Sequence, residues 1–217
     1  MTIKTYLESA ALTGTTIVTS IAENPQPIVR LRETWFHAQG GGQRGDRGWI
    51  GVARVLDARH GADGEIDHFV DSLVGLAVGQ AVDIAVDADH RRRGAFLHSC
   101  GHLIADAMQS IRPSVRAVAG HHWENEARVE FEGEVETSDA LAAEFEVRLR
   151  ELIAADLPIR IVGDPYRSRA IRIGDFEPVG CGGTHAATTA ELDGLRIAGI
   201  RKKSGRLRVS YKAAEDC

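Results

Sequence analysis

Four side chains that can bind a metal ion occur in two short motifs of this sequence. His98 and His102 stand four residues apart inside a segment of helical apolar periodicity. Residues at i and i+4 lie on one face of a helix, so both imidazoles can reach one ion. Cys181 and His185 enclose two glycines, which allow a tight turn that returns both side chains to one point. Three imidazoles and a thiolate suit tetrahedral zinc.

Each motif is weak alone, because a histidine pair on a helix is more often an ordinary surface or core feature. The occurrence of both on separate elements favours zinc. A zinc-protease helix is excluded, because Ser99 stands where that motif needs a glutamate. Four protein ligands are typical of a structural site, whereas catalytic zinc keeps one position open. The sequence leaves three alternatives: a loosely held ligand, five-coordination, or a zinc that orients the substrate amino group and water.

Two other residues of the helical segment are weaker candidates. Cys100 is two residues from each histidine, which places it on the opposite face, and we expect a small buried residue rather than a ligand. Asp106, one turn beyond His102, could accept a hydrogen bond from a ligating imidazole. The alternative for Asp106, a solvated helix carboxylate, is the more frequent case.

A glycine-rich run, QGGGQRGDRG, extends from Gln39 to Gly48. Three successive glycines let a backbone approach another group closely, and Gln43 supplies an amide donor and an acceptor. The run has neither the lysine of a phosphate-binding loop nor the dinucleotide-binding spacing. From its residues alone, a hairpin loop in a β domain is the favoured interpretation.

Together these motifs resemble the editing domain of alanyl-tRNA synthetases and its freestanding trans-editing relatives, in their longer form. The resemblance runs from about Leu31 to Thr189 and is carried by four motifs in the family's order. They are TWF with GGGQ and GDRG, then HSCGHLI, then RIGDF, then CGGTH. A related editing module of threonyl-tRNA synthetases shares the histidine and Cys-His motifs, but GGGQ and CGGTH favour the alanyl branch.

The resemblance implies a zinc-dependent deacylase that hydrolyses serine or glycine wrongly esterified to the alanine tRNA. The residues that it assigns to the metal are His98, His102, Cys181 and His185. Thr34 and Gln43 match positions that line the editing pocket. Thr34 is the candidate for reading the serine hydroxyl, and Gln43 for positioning the substrate or the glycine loop.

Two segments that border the expected pocket depart from the family. Residues 36–39 read FHAQ where the family commonly has FYPE, and residues 188–191 read TTAE where it has NTGE. The amino-acid preference is therefore open. A zinc-stabilised tRNA-binding module without hydrolysis, a deacylase for another mischarged tRNA and a hydrolase of some small ester are the alternatives. No residues remain for an activation domain of usual size, so we expect ATP-independent action in trans.

Elements that would position these motifs can be read from apolar periodicity. Residues 1–87 contain short segments rich in β-branched and aromatic residues between turn signals, which predict a small β-barrel-like domain. Residues 88–217 alternate helical and strand patterns. A helix over 94–111 ends before Pro113, and a second opens after Thr137-Ser138-Asp139. The predicted fold class is α+β, with an editing domain containing the zinc site at 88–217.

Composition limits the remaining classes. The 217 residues are 43% hydrophobic and 26% charged, and no apolar run approaches the ~20 residues of a membrane span. Three cysteines without framework spacing and no signal-peptide pattern predict a cytoplasmic protein. Residues 160–217 hold 11 Lys and Arg against 7 Asp and Glu, net +4. This basic part, densest between Arg201 and Arg208, fits the acceptor stem of a mischarged tRNA as well as it fits a solvated hairpin.

Overall fold

The computed structural model describes residues 1–23 and 25–214, which form two compact units. The first comprises residues 1–40, 44–93 and 182–184, and the second comprises 41–43, 94–181 and 185–214. Cys217 lies outside the described residues. The boundary between residues 87 and 88 stays a prediction. None of the described helices has both the length and the apolar character that crossing a membrane requires.

Strands and two α-helices occupy most of the described chain, which confirms the α+β class. The strands are β1 Ile3–Lys4, β2 Thr13–Ala22, β3 Ile28–Leu31, β4 Glu33–Thr34, β5 Gly48–Ile50, β6 Ala53–His60, β7 Ile66–Val70, β8 Ala81–Val86, β9 Arg116–His121, β10 Arg128–Glu132, β11 Ile159–Val162, β12 Ala170–Ile173, β13 Val179–Gly180, β14 Leu195–Lys203 and β15 Arg206–Ala213. The helices are α1 Ala88–Ile111 and α2 Asp139–Ala154, with 3-10 turns at Thr5–Leu7 and Thr189–Leu192.

Six strands of the first unit close into a barrel in the order β2-β3-β7-β6-β5-β8. Closure follows because β8 pairs antiparallel with both β2 and β5. Alternate residues of β8 are buried, as a strand with one face on a core requires. The buried residues are largely β-branched or leucine, among them Val18, Val29, Leu31, Val55 and Ile84. The predicted small barrel is thereby confirmed.

Helix α1 begins six residues earlier than its apolar pattern indicates. The charged run at 89–93 is helical, because arginine is a good helix former and Asp87 caps the first turn. The Asp87 Oδ1 accepts hydrogen bonds from the backbone N–H groups of Asp89 at 3.1 Å and His90 at 3.0 Å. The helix ends at Ile111, two residues before Pro113, as expected.

The core of the second unit lies between its two helices and its antiparallel sheet, whose strand order is β14-β15-β10-β9. The predicted apolar stripe of α2 is buried at Leu141, Phe145, Leu149 and Leu152, while Ile153 is partly buried. Ser138 caps α2 by accepting a hydrogen bond from the Leu141 N–H at 3.2 Å. A second sheet, β11-β12-β13, leads the chain into the CGGTH motif.

Candidate metal centre

The first two donors stand on one face of α1. His98 and His102 are one helical turn apart, with ring centroids 5.2 Å apart. Cys100 lies fully buried in the hydrophobic core of the second unit. The prediction that Cys100 is a small buried residue is therefore confirmed, and the helix presents its imidazoles and its thiol to different surroundings.

The second two donors follow the short strand β13. The backbone N–H of Cys181 donates to the Arg169 carbonyl at 3.2 Å, and the Arg169 guanidinium donates back to the Cys181 carbonyl. Beyond His185, the Ala186 N–H donates to the Ser99 hydroxyl at 2.9 Å, which ties this segment to α1. Both ends of the motif are thus fixed by hydrogen bonds within the second unit.

The structure brings all four of these side chains together. One donor atom from each of His98, His102, Cys181 and His185 lies within 4.8 Å of the others. The Cys181 Sγ is 3.4 Å from the Nε2 atoms of both His98 and His185. The Nε2 of His102 is buried without a hydrogen-bond partner among the described residues. A bound cation would satisfy that nitrogen, so the donor set fits a metal and is compatible with zinc.

The electrostatics of His102 also suit a ligand. Burial and, to a smaller extent, the nearby positive charge of Arg169 lower the pKa of His102 to about 4. The ring is therefore neutral at pH 7. A neutral imidazole keeps the lone pair that metal coordination needs.

Gln43 lies next to the first donor. Its side chain is buried, and its Oε1 is 2.8 Å from the Nδ1 of His98. Because the amide oxygen can only accept, Nδ1 carries the hydrogen, and the other ring nitrogen of His98 faces Cys181. Gly41 and Gly42 precede Gln43 with φ values of 57° and 78°, a left-handed backbone that favours glycine. Gln43 can therefore fix the tautomer and orientation of a ligand.

Thr34 belongs to the first unit, on β4, and is fully buried. His68 Nδ1 is 2.9 Å from the Val29 carbonyl, which requires Nδ1–H and leaves Nε2 as an acceptor. The Thr34 hydroxyl, 2.7 Å from that Nε2, therefore donates to it, and its oxygen accepts from the Phe36 N–H at 3.1 Å. Because the hydroxyl hydrogen of Thr34 is donated to His68, the Thr34 oxygen can interact with a further group only by accepting a hydrogen bond.

Asp106 matches neither interpretation made from the sequence. No hydrogen bond joins it to His102 within the described part of the chain, and it is not solvated, since its exposed fraction is 8%. Burial raises the pKa of Asp106 to about 7. It is a buried carboxyl on the ligand helix rather than an orienting partner of the imidazole.

The two segments that depart from the family have structural partners. In the first unit the His37 N–H donates to Asp46 at 2.6 Å, and Asp46 forms a buried ion pair with Arg91. In the second unit Thr188 and Glu191 form a capping box around the 3-10 turn. These residues therefore contribute to folding whatever their effect on specificity.

Two residues near the donors were not singled out from the sequence. Arg169 holds the Cys181 backbone, and the His122 ring stacks on His98 at 4.6 Å between centroids with a 21° tilt. A signal for His122 was available. Gly101 is unusual in the middle of a helix, because glycine is a poor helix former, and it stands between His98 and His102.

Comparison with known proteins finds similarity to alanine–tRNA ligases. The chain is 28% identical over 204 residues to that of Parafrankia sp. (strain EAN1pec), covering 83% of this chain and 23% of the relative. It is 30% identical over 189 residues to that of Lactococcus lactis subsp. lactis (strain IL1403), covering 76% and 22%. The chain thus spans about a fifth of the length of these curated relatives. No family model matches.

Proposed function

We propose that this chain, a relative of the alanine–tRNA ligases, is a metal-dependent hydrolase that deacylates mischarged tRNA. The proposed substrate is serine or glycine esterified to the alanine tRNA. The convergence of His98, His102, Cys181 and His185 is the observation that carries the proposal. It coincides with the motifs that resemble an editing domain, in a chain with ligase relatives.

The proposed metal is zinc, held by these four side chains. When bound, zinc would supply polarisation of the ester carbonyl or a lowered pKa of a nearby water. The chain's own residues then have three tasks: to hold the donors, to orient them and to exclude competing protons. Gln43 orients His98 through Nδ1, and burial keeps His102 neutral. An aminoacyl ester is already activated, so accurate positioning supplies much of the required rate.

Thr34 is the proposed determinant of serine recognition, on the strength of the resemblance. Because its hydrogen is given to His68, the Thr34 oxygen can serve a ligand only as an acceptor. A serine hydroxyl can donate to it, whereas glycine has no such group. Any contribution of Thr34 to affinity should therefore be larger for serine esters than for glycine esters.

The basic stretch is the proposed contact for tRNA phosphates. It forms the β14–β15 hairpin, with Ser204 and Gly205 at the turn. Arg206 and Arg208 are paired with Glu130 at 3.5 Å and 2.6 Å. The exposed residues of this stretch with no ion pair in the described chain are Arg201, Lys202 and Lys203. These three charges are the ones left for phosphate oxygens.

A second candidate function is a zinc-stabilised tRNA-binding module without hydrolysis. It is favoured by the convergence of four protein donors, which is typical of a structural metal site. Both candidates share the tRNA partner and the metal. The two candidates differ only in whether the chain hydrolyses the ester.

Release of labelled serine from Ser-tRNA(Ala) tests the proposal. We expect hydrolysis by the wild type, and a loss of about a hundredfold or more in Cys181→Ala and in Gln43→Ala. Cys100→Ala, which removes a buried thiol outside the donor set, is the matched control and should keep the rate. The enzyme proposal fails if the wild type hydrolyses no mischarged alanine, threonine or proline tRNA above buffer.

Salt dependence separates tRNA hydrolysis from hydrolysis of a small ester. Phosphate contacts make binding weaken steeply as salt rises, so kcat/KM on Ser-tRNA(Ala) should fall between 50 and 200 mM salt. Activity indifferent to salt would favour the small ester. Elemental analysis that finds about one zinc per chain, lost in His98→Ala, tests the metal without a substrate.

A further inference from the structure

Gly101 occupies a position in α1 where glycine is costly. A glycine in a helix interior is destabilising relative to alanine. A Cβ at Gly101 would lie 2.3 Å from Cε1 and 2.6 Å from Nδ1 of His122, closer than such atoms can approach. The absence of a side chain therefore makes room for the His122 ring.

Two more glycines leave space for the His122 ring. A Cβ at Gly120, on β9, would lie 2.6 Å from the Nε2 of His122, and a Cβ at Gly42 would lie 3.0 Å from its Cδ2. The His122 N–H also donates to the Gly42 carbonyl at 2.9 Å. The ring is thus enclosed by α1, by β9 and by the glycine-rich run that carries Gln43.

Tyr211 fixes the tautomer of this ring. The Tyr211 hydroxyl is 2.9 Å from the Leu97 carbonyl, which can only accept, so the single hydroxyl hydrogen is donated there. The Tyr211 oxygen is also 2.6 Å from the Nδ1 of His122. It must accept at that contact, so Nδ1 of His122 carries a hydrogen. Both partners are buried, and the orientation of the ring is specified.

We propose that His122 is a positioning residue of the metal centre. Its ring supports the face of His98, at 4.6 Å and a 21° tilt, while Gln43 holds the Nδ1 edge of His98 at 2.8 Å. The two contacts together fix the plane and the rotation of the imidazole. The proposal rests on the proposed metal-dependent function, since it assigns a role beside that same site.

Zinc affinity of the full chain, measured by competition with a chelator, tests this assignment. Tyr211→Phe keeps the aromatic ring and removes the oxygen that accepts from His122. We expect zinc to bind about tenfold more weakly, the scale of losses at outer partners of a ligand. Tyr166→Phe, at an exposed tyrosine, is the matched control. Affinity within twofold of the wild type in Tyr211→Phe would overturn the proposal.

Gly101→Ala tests the contact between His122 and His98 by a substitution in α1. The alanine should favour helix formation, yet we expect weaker zinc binding and an altered absorption spectrum of the cobalt-substituted protein, because the His122 ring is displaced. In Gly101→Ala/His122→Ala the conflict with the His122 ring is removed, and the 3.0 Å contact with the Tyr211 hydroxyl remains. Thermal stability should then recover while zinc affinity stays low. Recovery of wild-type affinity in the double variant would show that His122 only fills space, which overturns the proposal.

The outcomes separate this inference from the proposed function. Wild-type zinc binding that is unchanged in these variants overturns the role of His122 alone. Zinc binding that depends on His122, in a chain that hydrolyses no mischarged tRNA, overturns the deacylase and leaves His122 as assigned. A wild type that binds no zinc overturns both.

Discussion

His68 in the barrel is fully buried, and His102 in α1 is partly buried. The pKa of each imidazole is lowered to about 4, chiefly by desolvation. Their hydrogen bonding differs. Both ring nitrogens of His68 have partners, Nδ1 with the Val29 carbonyl and Nε2 with the Thr34 hydroxyl. The Nε2 of His102 has no hydrogen-bond partner among the described residues, and one ring nitrogen of His102 belongs to a set of four donor atoms that lie within 4.8 Å of one another.

The difference shows why a perturbed pKa does not by itself identify a functional histidine. Burial is the main cause that disfavours the imidazolium in both places, and Arg169 adds to it at His102. What distinguishes His102 is a buried ring nitrogen that the described residues leave without a hydrogen bond, in a side chain that lies close to a thiol and two imidazoles. A fully satisfied ring such as His68 serves the fold, whereas an unsatisfied one fits an ion.

The largest expected effect contrasts these two histidines as ligands. His102→Ala should weaken zinc binding by about a thousandfold or more, because one of the four proposed donors is lost. His68→Gln should bind zinc as the wild type does. Chelator competition on both variants measures this. Equal losses of zinc affinity in the two variants would contradict the distinction between His102 as a metal ligand and His68 as a structural residue.

The next effect is the loss of stability when a buried ion pair of the first unit is broken. Asp46→Asn should lower the free energy of unfolding by about 3 kcal/mol, because it leaves the buried guanidinium of Arg91 without its counter-charge. Asp89→Asn, which removes an exposed pair with Arg92, should change it by less than about 0.5 kcal/mol. Denaturant midpoints provide the comparison. A similar cost at both positions would contradict it.

The smallest effect is a dependence of stability on pH. The pKa of His68 is about 4 in the folded chain against 6.5 when exposed, so the unfolded chain binds more protons in this interval. Stability is therefore lost as pH falls from 6.5 towards 4, by about 2–3 kcal/mol for this residue. His68→Gln should flatten that dependence.

Thr34→Val is the control for this titration. It removes a hydrogen bond to His68 without removing the titrating ring. Its cost in stability should be nearly the same at pH 7 and pH 4.5. If the stability of His68→Gln depends on pH as steeply as that of the wild type, other groups cause the acid sensitivity. His37 is one such group, because burial also lowers its pKa to about 4.

The sequence predicts elements well where periodicity is strong. The α2 stripe from Leu141 to Leu152 and the end of α1 before Pro113 follow from spacing and from proline chemistry. The start of α1 was predicted too late, because charged residues carry no apolar period even where Asp87 caps a helix. Strand order in the barrel joins residues as distant as Thr13 and Ala85, and local patterns do not contain such pairings.

The donor set was predictable because its two motifs each bring their side chains together locally. Contacts between distant segments were not. Gln43 meets His98 across 55 positions, and His122 meets Tyr211 across 89. For Gln43 the resemblance implied a role near the pocket. For His122 the only signal in the sequence was Gly101, a glycine inside a helix, and the structure explains that glycine by the position of the His122 ring beside it.

The two described cysteines differ in burial, and this gives them different reactivity. Cys100 is fully enclosed by core side chains, whereas Cys181 is partly exposed at the donor cluster. Alkylating reagents need an accessible thiolate, so Cys181 is the one of the two that they can reach, and coordination would withdraw it. Mass spectrometry of the peptide that contains Cys181 can thus report metal occupancy, and oxidation at that one sulfur would remove a donor from the candidate metal centre.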